Sequence, residues 1–342
     1  MIDIKSLEKE ELQAQLQKQN IPAFRAKQIA SWLDKGVLSF GEMKNLPKDL
    51  QETLAKQYVI PGVAIEKKYV SKIDGTVKYL FSLSDGEVIE SVLMKYKHGW
   101  SQCLSTQVGC RMGCTFCATG MEGCKRDLLP SEMLSQIEVA QKDNDIRVSS
   151  IVLMGMGEPL DNYENVLRFL ELLSEEGGVH IGMRHVSLST CGLVDKIKEL
   201  QQLNLQLTLS VSLHAPNDAI RLQLMPIAKK WSVEELLAAC REYAKTTSRR
   251  ISFEYAMFDG INDSKECAME LAEQLKGMLC HVNLIPGNTV AGSRTKRSSA
   301  SRLKEFQTIL DSKGIPVTVR RTLGADINAS CGQLRRGDRE EI

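Results

Sequence analysis

Residues 107–120 read QVGCRMGCTFCATG, and the reading of this stretch decides the fold and the chemistry of the chain. It carries Cys110, Cys114 and Cys117 in the spacing C-x3-C-x2-C. Three thiolates this close in sequence fit on one turning loop and can hold three irons of a [4Fe–4S] cluster. Such clusters are normally held by four cysteines, so a set of three leaves one iron open to a substrate. Gly109 and Gly113 flank the cysteines and permit a tight turn around a bulky cofactor, and Phe116 offers an apolar wall. The bland readings are a zinc site or three unrelated buried thiols. Zinc calls for a fourth Cys or His at a short repeat spacing, such as a second C-x2-C. Cys124 follows, but not at that step.

The chain has 342 residues and a net charge of +1. That length predicts one large domain, or one large and one small, with enough chain for a substantial core. Near-neutrality means that any contact with nucleic acid must rest on local basic patches. Ten cysteines, with no apolar leader in residues 1–16, read as the reduced thiols and cluster ligands of a cytoplasmic protein, not as a disulfide framework. No apolar run reaches the length of a membrane span.

Residues 1–60 read as helical. Leu7, Leu12 and Leu16 share a face, Ile29, Trp32 and Leu33 recur at helical spacing, and a third helix is expected over 48–57. A cap on the main fold and an RNA contact are equally good roles for this part. Residues 63–97 alternate apolar and polar side chains around Asp74-Gly75 and Asp85-Gly86, two hairpin-turn signals. Beyond them strands and helices alternate. Strands are expected over 101–107, 149–154, 186–190, 205–213, 251–257, 281–285 and 317–320. Helices are expected over 130–143, 163–176, 195–203, 233–246, 265–279 and 299–313. Such alternation gives a parallel sheet closing into a full or partial barrel, with functional residues at strand C-terminal ends. Residues 287–301 are polar and basic and read as an exposed loop.

The three-cysteine set is the signature of the radical S-adenosylmethionine (SAM) enzymes, whose open iron chelates SAM and whose cluster cleaves it to methionine and a 5′-deoxyadenosyl radical. Other runs narrow the resemblance: RVSSIVLMGMGEPLDN (147–162), SLHAPN (212–217), LQLMP (222–226), RRISFEY (249–255), CHVNLIPGN (280–288) and CGQLR (331–335). With these, essentially the whole chain resembles the RlmN/Cfr family of radical SAM RNA adenine methyltransferases. The resemblance implies an α/β fold, a partial (β/α)6-type radical SAM barrel over 99–342. A small N-terminal helical accessory domain (1–60) and a β-hairpin connecting segment (61–98) would precede it.

The resemblance also implies roles for single residues. Cys110, Cys114 and Cys117 would ligate the cluster. Gly157, Glu158, Ser189, Ser212, Leu213, His214 and Asn288 would bind SAM. Cys331 would become S-methylated, Cys103 would resolve the covalent RNA adduct through a transient disulfide with Cys331, and Glu90 would accept the ring proton. Taken singly, these residues invite plainer readings: His214 as structural, Glu90 as a solvent-facing strand residue, Cys103 and Cys331 as buried thiols. Cys124, Cys191, Cys240, Cys267 and Cys280 keep the buried-thiol reading.

Adenine C2 and C8 are electron-poor and cannot attack a SAM methyl group, whereas a thiolate activated by nearby positive charge can. Arg335 and Arg336 are the candidates for that charge. Two SAM molecules would be used per turnover, one as methyl donor to Cys331 and one as radical source. The implied partners are 23S rRNA, tRNA and a flavodoxin or ferredoxin type electron donor, with the protein a monomer. Arg249-Arg250, Arg294-Thr295-Lys296-Arg297, Arg320-Arg321 and Arg335-Arg336 are the basic clusters available for phosphates. The target adenine must be flipped or single-stranded to reach a buried radical.

Two branches of the family remain open. SLHAPN, VNLIPGN and GEPLDN resemble the C2-methylating enzymes, and Pro286 stands where the C8 branch tends to carry a basic residue. MKYKHGW (94–100) and CATG (117–120) resemble the C8-methylating, antibiotic-resistance branch. Outside the family, a radical SAM modifier of peptides or small molecules would favour extra C-terminal C-x-x-C groups, which the sequence lacks. A non-catalytic RNA-binding protein with a structural cluster would hold iron but leave SAM intact.

Overall fold

The computed structural model describes residues 1–121, 123–175, 178–288, 290 and 292–335. From residue 63 onward a ten-stranded sheet forms, and its spatial order is its chain order. Strands β1 (Val63–Val70), β2 (Val77–Leu83), β3 (Val88–Tyr96) and β4 (Gly99–Cys103) make an antiparallel meander. Strands β5 (Val148–Leu153), β6 (Val186–Thr190), β7 (Thr208–Ser212), β8 (Ile251–Met257), β9 (Cys280–Pro286) and β10 (Val317–Val319) then add to β4 in parallel. All seven expected parallel strands are present, and the two Asp-Gly pairs sit in the first two hairpin turns.

Helices α1 (Lys9–Lys18), α2 (Ala23–Leu33) and α3 (Lys48–Gln57) precede the sheet. The crossovers are α4 (Pro130–Asn144), α5 (Tyr163–Ser174), α6 (Val194–Gln202), α7 (Asp218–Leu224), α8 (Val233–Thr247), α9 (Lys265–Leu275) and α10 (Ala300–Ser312). Central strands read as apolar because they lie beneath these helices: Ile151, Leu188, Leu209, Phe253 and Val282 are fully buried with Phe169, Ile197 and Leu271 of the helices. Residues 1–60 have their own apolar cluster around Leu16, Ile29 and Leu54. It docks through Ser131 Oγ donating to Asp3 (2.7 Å), Arg168 Nε donating to the Ser6 carbonyl (2.9 Å) and the Lys5–Glu138 ion pair.

Several boundaries differ from expectation, and the strand expected over 205–213 spans only Thr208–Ser212. The first parallel strand spans Gly99–Cys103, not 101–107. The chain breaks after Cys103, and Gln107–Gly109 pairs with Cys124–Asp127 in a separate two-stranded ribbon. A third hairpin, at Tyr96–Gly99, makes the hairpin segment continuous with the barrel sheet. Helix α9 stops at Leu275, where Lys276 leaves helical geometry and Gly277 turns the chain at φ +72°. The expected helix end at Glu176 lies outside the described residues.

The sheet does not close on itself: β1 and β10 are its two edges. The segment after β10 bridges them. Asp326 accepts from Ser71 Oγ (2.7 Å) and Lys72 N (2.9 Å), and Gly324 N donates to Asp74 (2.9 Å), which fastens this strap to the β1–β2 turn.

Candidate active site

The ribbon holds the cysteine loop by both ends. Cys110 N donates to the Gly123 carbonyl at 2.9 Å. Gly109 has φ +85°, and a Cβ there would lie 1.9 Å from that same carbonyl, so only glycine fits the crossing. Thr115 ties the loop to the end of α7, its N–H donating to the Leu224 carbonyl at 3.0 Å. Cys110, Cys114 and Cys117 all face one cavity of about 160 Å³ at the C-terminal ends of the strands. Their sulfurs do not all lie within 4.8 Å of one another, whereas the ligands of one tetrahedral zinc stand about 3.8 Å apart. Three thiols on one loop fit a multi-iron cluster that keeps one iron open. Burial raises all three thiols, Cys110 to about 12.

The same cavity gathers Gly157, Glu158, Ser189, Ser212, His214 and Asn288 from the ends of β5, β6, β7 and β9. Gly157 has φ +103°, and a Cβ would meet Gln107 at 2.7 Å. Glu158 is buried, with one oxygen accepting from Leu160 N (3.0 Å) and the other from Cys191 N (2.7 Å). Burial raises its pKa. His214 Nδ1 accepts from Ala256 N at 2.9 Å, so its proton sits on Nε2. Burial first, and then the Arg221 charge, lower its pKa to about 3, which keeps the ring neutral. Glycine backbone, carboxylate, hydroxyls and a neutral imidazole donor suit the amino-acid and ribose parts of SAM. Leu213 does not face this cavity: its side chain lies in the core, and its N–H and C=O bind Glu254 and Arg221.

Cys331 rides on the strap, where Asn288 Nδ2 donates to its carbonyl at 2.9 Å. It lines the cysteine cavity and also a second, outer cavity with Tyr96, Pro286 and Arg321. Cys103, at the end of β4, is buried, and burial holds its thiol up at about 12, with Cys331 the next influence. All ten cysteines are free thiols, so the expected Cys103–Cys331 disulfide is not formed in this structure. Glu90 is buried rather than solvent-facing. It pairs with Lys78 (3.1 Å), accepts from Arg335 N (3.0 Å), and lines neither cavity.

Charge near Cys331 comes from an unexpected residue. Arg335 meets Glu90 through its backbone, and Arg336 lies outside the described residues. Arg320 instead lines both cavities beside Cys331, 3.6 Å from Glu254. The Cys331 sulfur is the main influence raising its pKa. Glu254 is buried, and burial raises its pKa. The sequence marks Arg320 only as part of a basic cluster for phosphates, and Glu254 only as a carboxylate inside the apolar strand ISFEYAM. Cys191 also lines the cavity.

The basic clusters separate. Arg249-Arg250 precede β8 and so lie at the sheet end opposite the cavity. Arg294, Lys296, Arg297 and Arg321 are exposed on the cavity side, where Ser293 Oγ donates to the Thr115 carbonyl (3.1 Å).

A family model of the radical SAM superfamily matches residues 104–272, and one described as the ribosomal RNA large subunit methyltransferase N-terminal domain matches residues 2–60. A protein of Alkaliphilus oremlandii (strain OhILAs) is 52% identical over 335 residues, covering 98% of either chain. One of Clostridium botulinum (strain Alaska E43 / Type E3) is 54% identical over 327 residues, covering 96% of this chain and 94% of its own. Both are named probable dual-specificity RNA methyltransferase RlmN. Among solved structures, a radical SAM methyltransferase from Sphaerobacter thermophilus superposes with a TM-score of 0.92 at 43% identity, covering 98% of this chain and 99% of its own.

Proposed function

This chain belongs to the radical SAM superfamily and, within it, to the RlmN family of RNA methyltransferases, and from that premise we propose that it methylates C2 of adenosine 2503 in 23S rRNA and of adenosine 37 in tRNA through a methylated Cys331. It is a SAM-dependent RNA methyltransferase that uses a [4Fe–4S] cluster and two SAM molecules per turnover. One observation carries the residue assignment: Cys331 lines the cavity of the three cysteines and the outer cavity at once. A carbon carried on its sulfur can be worked on from the SAM side and delivered from the other.

Cys110, Cys114 and Cys117 would hold the cluster, which when bound would supply the one-electron chemistry that makes a radical from SAM. Gly157, Glu158, Ser189, Ser212, His214 and Asn288 hold SAM, with Leu213 contributing only backbone to that strand end. Before this, the Cys331 sulfur, beside the Arg320 guanidinium, takes the methyl group of a first SAM, and S-adenosylhomocysteine leaves. The S-methyl carbon loses a hydrogen atom to the radical and adds to adenine C2, linking protein and RNA. The adduct gives one electron to a one-electron acceptor of the flavodoxin or ferredoxin class, and the C2 proton passes to Glu90. Since Glu90 lies under the strap and lines neither cavity, that transfer calls for a shift of the strap or a bridging water. The Cys103 sulfur then attacks the Cys331 sulfur. The S–C bond breaks, the carbon takes a proton to become the methyl group, and a disulfide forms that a thiol reductant must reduce.

Residues 1–60 act as an accessory domain, the electron donor is of flavodoxin or ferredoxin type, and the protein works as a cytoplasmic monomer. No described helix is long and apolar enough to cross a membrane. Exposed Arg294, Lys296, Arg297 and Arg321 offer phosphate contacts around the outer cavity. C8 methylation is the second reading, because Tyr96 of the C8-like stretch lines the outer cavity together with Pro286. Reconstituted protein, SAM, reductant and unmodified RNA, followed by digestion and mass spectrometry, decide the matter. The expected product is 2-methyladenosine; 8-methyladenosine assigns the other branch, and SAM cleavage without methylated adenosine refutes the substrate.

A further inference from the structure

Arg221 of α7 is fully buried, yet no carboxylate pairs with it among the described residues. Its guanidinium donates only to carbonyl oxygens: Nη2 to Cys191 (2.5 Å) and Ser212 (3.4 Å), and Nε to Leu213 (3.3 Å). Nη1 has no hydrogen-bond partner. The carboxylates in its neighbourhood are engaged elsewhere. Glu158 accepts from two backbone N–H groups, and Asp218 accepts from Val233 N at 2.6 Å. A buried charge without a counter-charge is costly, and native proteins rarely keep one.

The placement of the group says what the counter-charge is. Helix α7 is fastened to the cysteine loop through Thr115, which lies between Cys114 and Cys117. The residue that receives the shortest Arg221 bond, Cys191, packs in one apolar cluster with Cys114 and Phe116. Arg221 does not line the SAM cavity, so it stands behind the loop and not against the substrate.

We propose that Arg221 is the counter-cation of the iron–sulfur cluster, a positioning residue that raises the cluster's reduction potential from behind the loop. The inference rests on the three cysteines being the cluster ligands. Reduction adds one negative charge to the cluster, and a fixed positive charge in a low-dielectric wall stabilises the reduced form more than the oxidised one. The three carbonyl bonds hold that charge in place and join the ends of β6 and β7, where SAM binds.

The test is a redox titration of anaerobically reconstituted protein, followed by electron paramagnetic resonance, without SAM or RNA. Arg221→Gln should take up iron as the wild type does. At the potential that half-reduces the wild type, its reduced-to-oxidised ratio should be roughly tenfold lower, a shift of about 59 mV for one electron. Arg221→Lys should return most of the difference, because it keeps the charge. Should Arg221→Gln not fold, Arg221→Met, which is also uncharged and leaves no polar group in the buried site, is read in the same way. A fully loaded neutral variant with the wild-type midpoint overturns the inference. So does a Lys variant as low as the Gln variant, or failure of both neutral variants to fold, which would make Arg221 a structural fastener. A wild-type protein that takes up no cluster overturns the ligand assignment itself, and this inference with it.

Discussion

Lys78 on β2 and Glu90 on β3 form an ion pair, Nζ to Oε1 at 3.1 Å, with both side chains almost sealed from water. The other carboxylate oxygen accepts the backbone N–H of Arg335, 245 residues away in sequence. The ammonium also lies 5.3 Å from the centre of the Tyr69 ring. Desolvating two charges is unfavourable, and such a pair adds little net stability over an apolar one. What it secures is placement: a carboxylate held under the strap that carries Cys331.

Lys78→Met should therefore destabilise the protein, because it takes a buried cation away from the buried Glu90 carboxylate. Adding Glu90→Leu should recover most of that loss. Urea unfolding of the single and double variants gives the comparison, and additive losses would contradict the pairing. Glu90→Gln, read by mass spectrometry, should still methylate Cys331 yet fail to release methylated RNA.

Arg320 and Arg321 are neighbours in sequence with opposite environments. Arg320→Gln leaves the buried Glu254 with only its neutral donors Ser252 and Asn283 and removes the cation beside Cys331. It should slow Cys331 methylation, measured on intact protein without RNA, by at least roughly tenfold. Arg321→Gln should leave that rate unchanged, weaken RNA binding, and lower the salt slope of binding by about one. Equal effects of the two variants on Cys331 methylation would refute the division.

This pair also shows where sequence reading stops. The parallel strands were legible because helices cover their outer face, so every second residue is a buried apolar one, and turn residues mark their ends without outside help. The three cysteines were legible because the loop that carries them is local. Arg320 and Arg321 read as one basic cluster because a dipeptide does not reveal which side chain turns inward beside Glu254. Glu90 read as solvent-facing because its cover is the strap, a contact that no local pattern encodes. Leu213 sits inside the SLHAPN run, yet a strand alternates its faces, so it points into the core while Ser212 and His214 face the cavity.

His214 predicts acid sensitivity of the cluster-free protein. Its folded pKa, about 3, lies below the ordinary value of 6.5. A lowered folded pKa gives stability that is present above pH 6.5 and lost as pH falls from 6.5 toward 3, since only the unfolded chain takes up the proton there. The loss from this one group is of the order of 4 kcal/mol. His214→Gln should flatten the stability curve in that window while leaving an Oε1 acceptor for Ala256 N. An unchanged slope between pH 6.5 and 4 would mean that the imidazole is already charged or exposed.

Cys103 predicts a pH-dependent last step. Burial holds its thiol up at about 12, with the Arg320 charge pulling the other way. At neutral pH it is therefore a thiol, and the attacking thiolate is a small fraction that grows tenfold with each pH unit. Cys103→Ala should accumulate a covalent protein–RNA adduct, visible as a shifted band on a denaturing gel, because no second sulfur can attack Cys331. In the wild type, adduct formed at pH 6 and moved to higher pH should decay faster by close to tenfold per unit up to about pH 8. Reduced Cys103 and Cys331 would then become a disulfide, so each chain should release one methylated adenosine and stop unless a thiol reductant is present. A pH-independent decay would place the slow step before sulfur attack, in strap movement or in proton transfer to Glu90. Multiple turnovers without reductant would remove Cys103 from the resolving role.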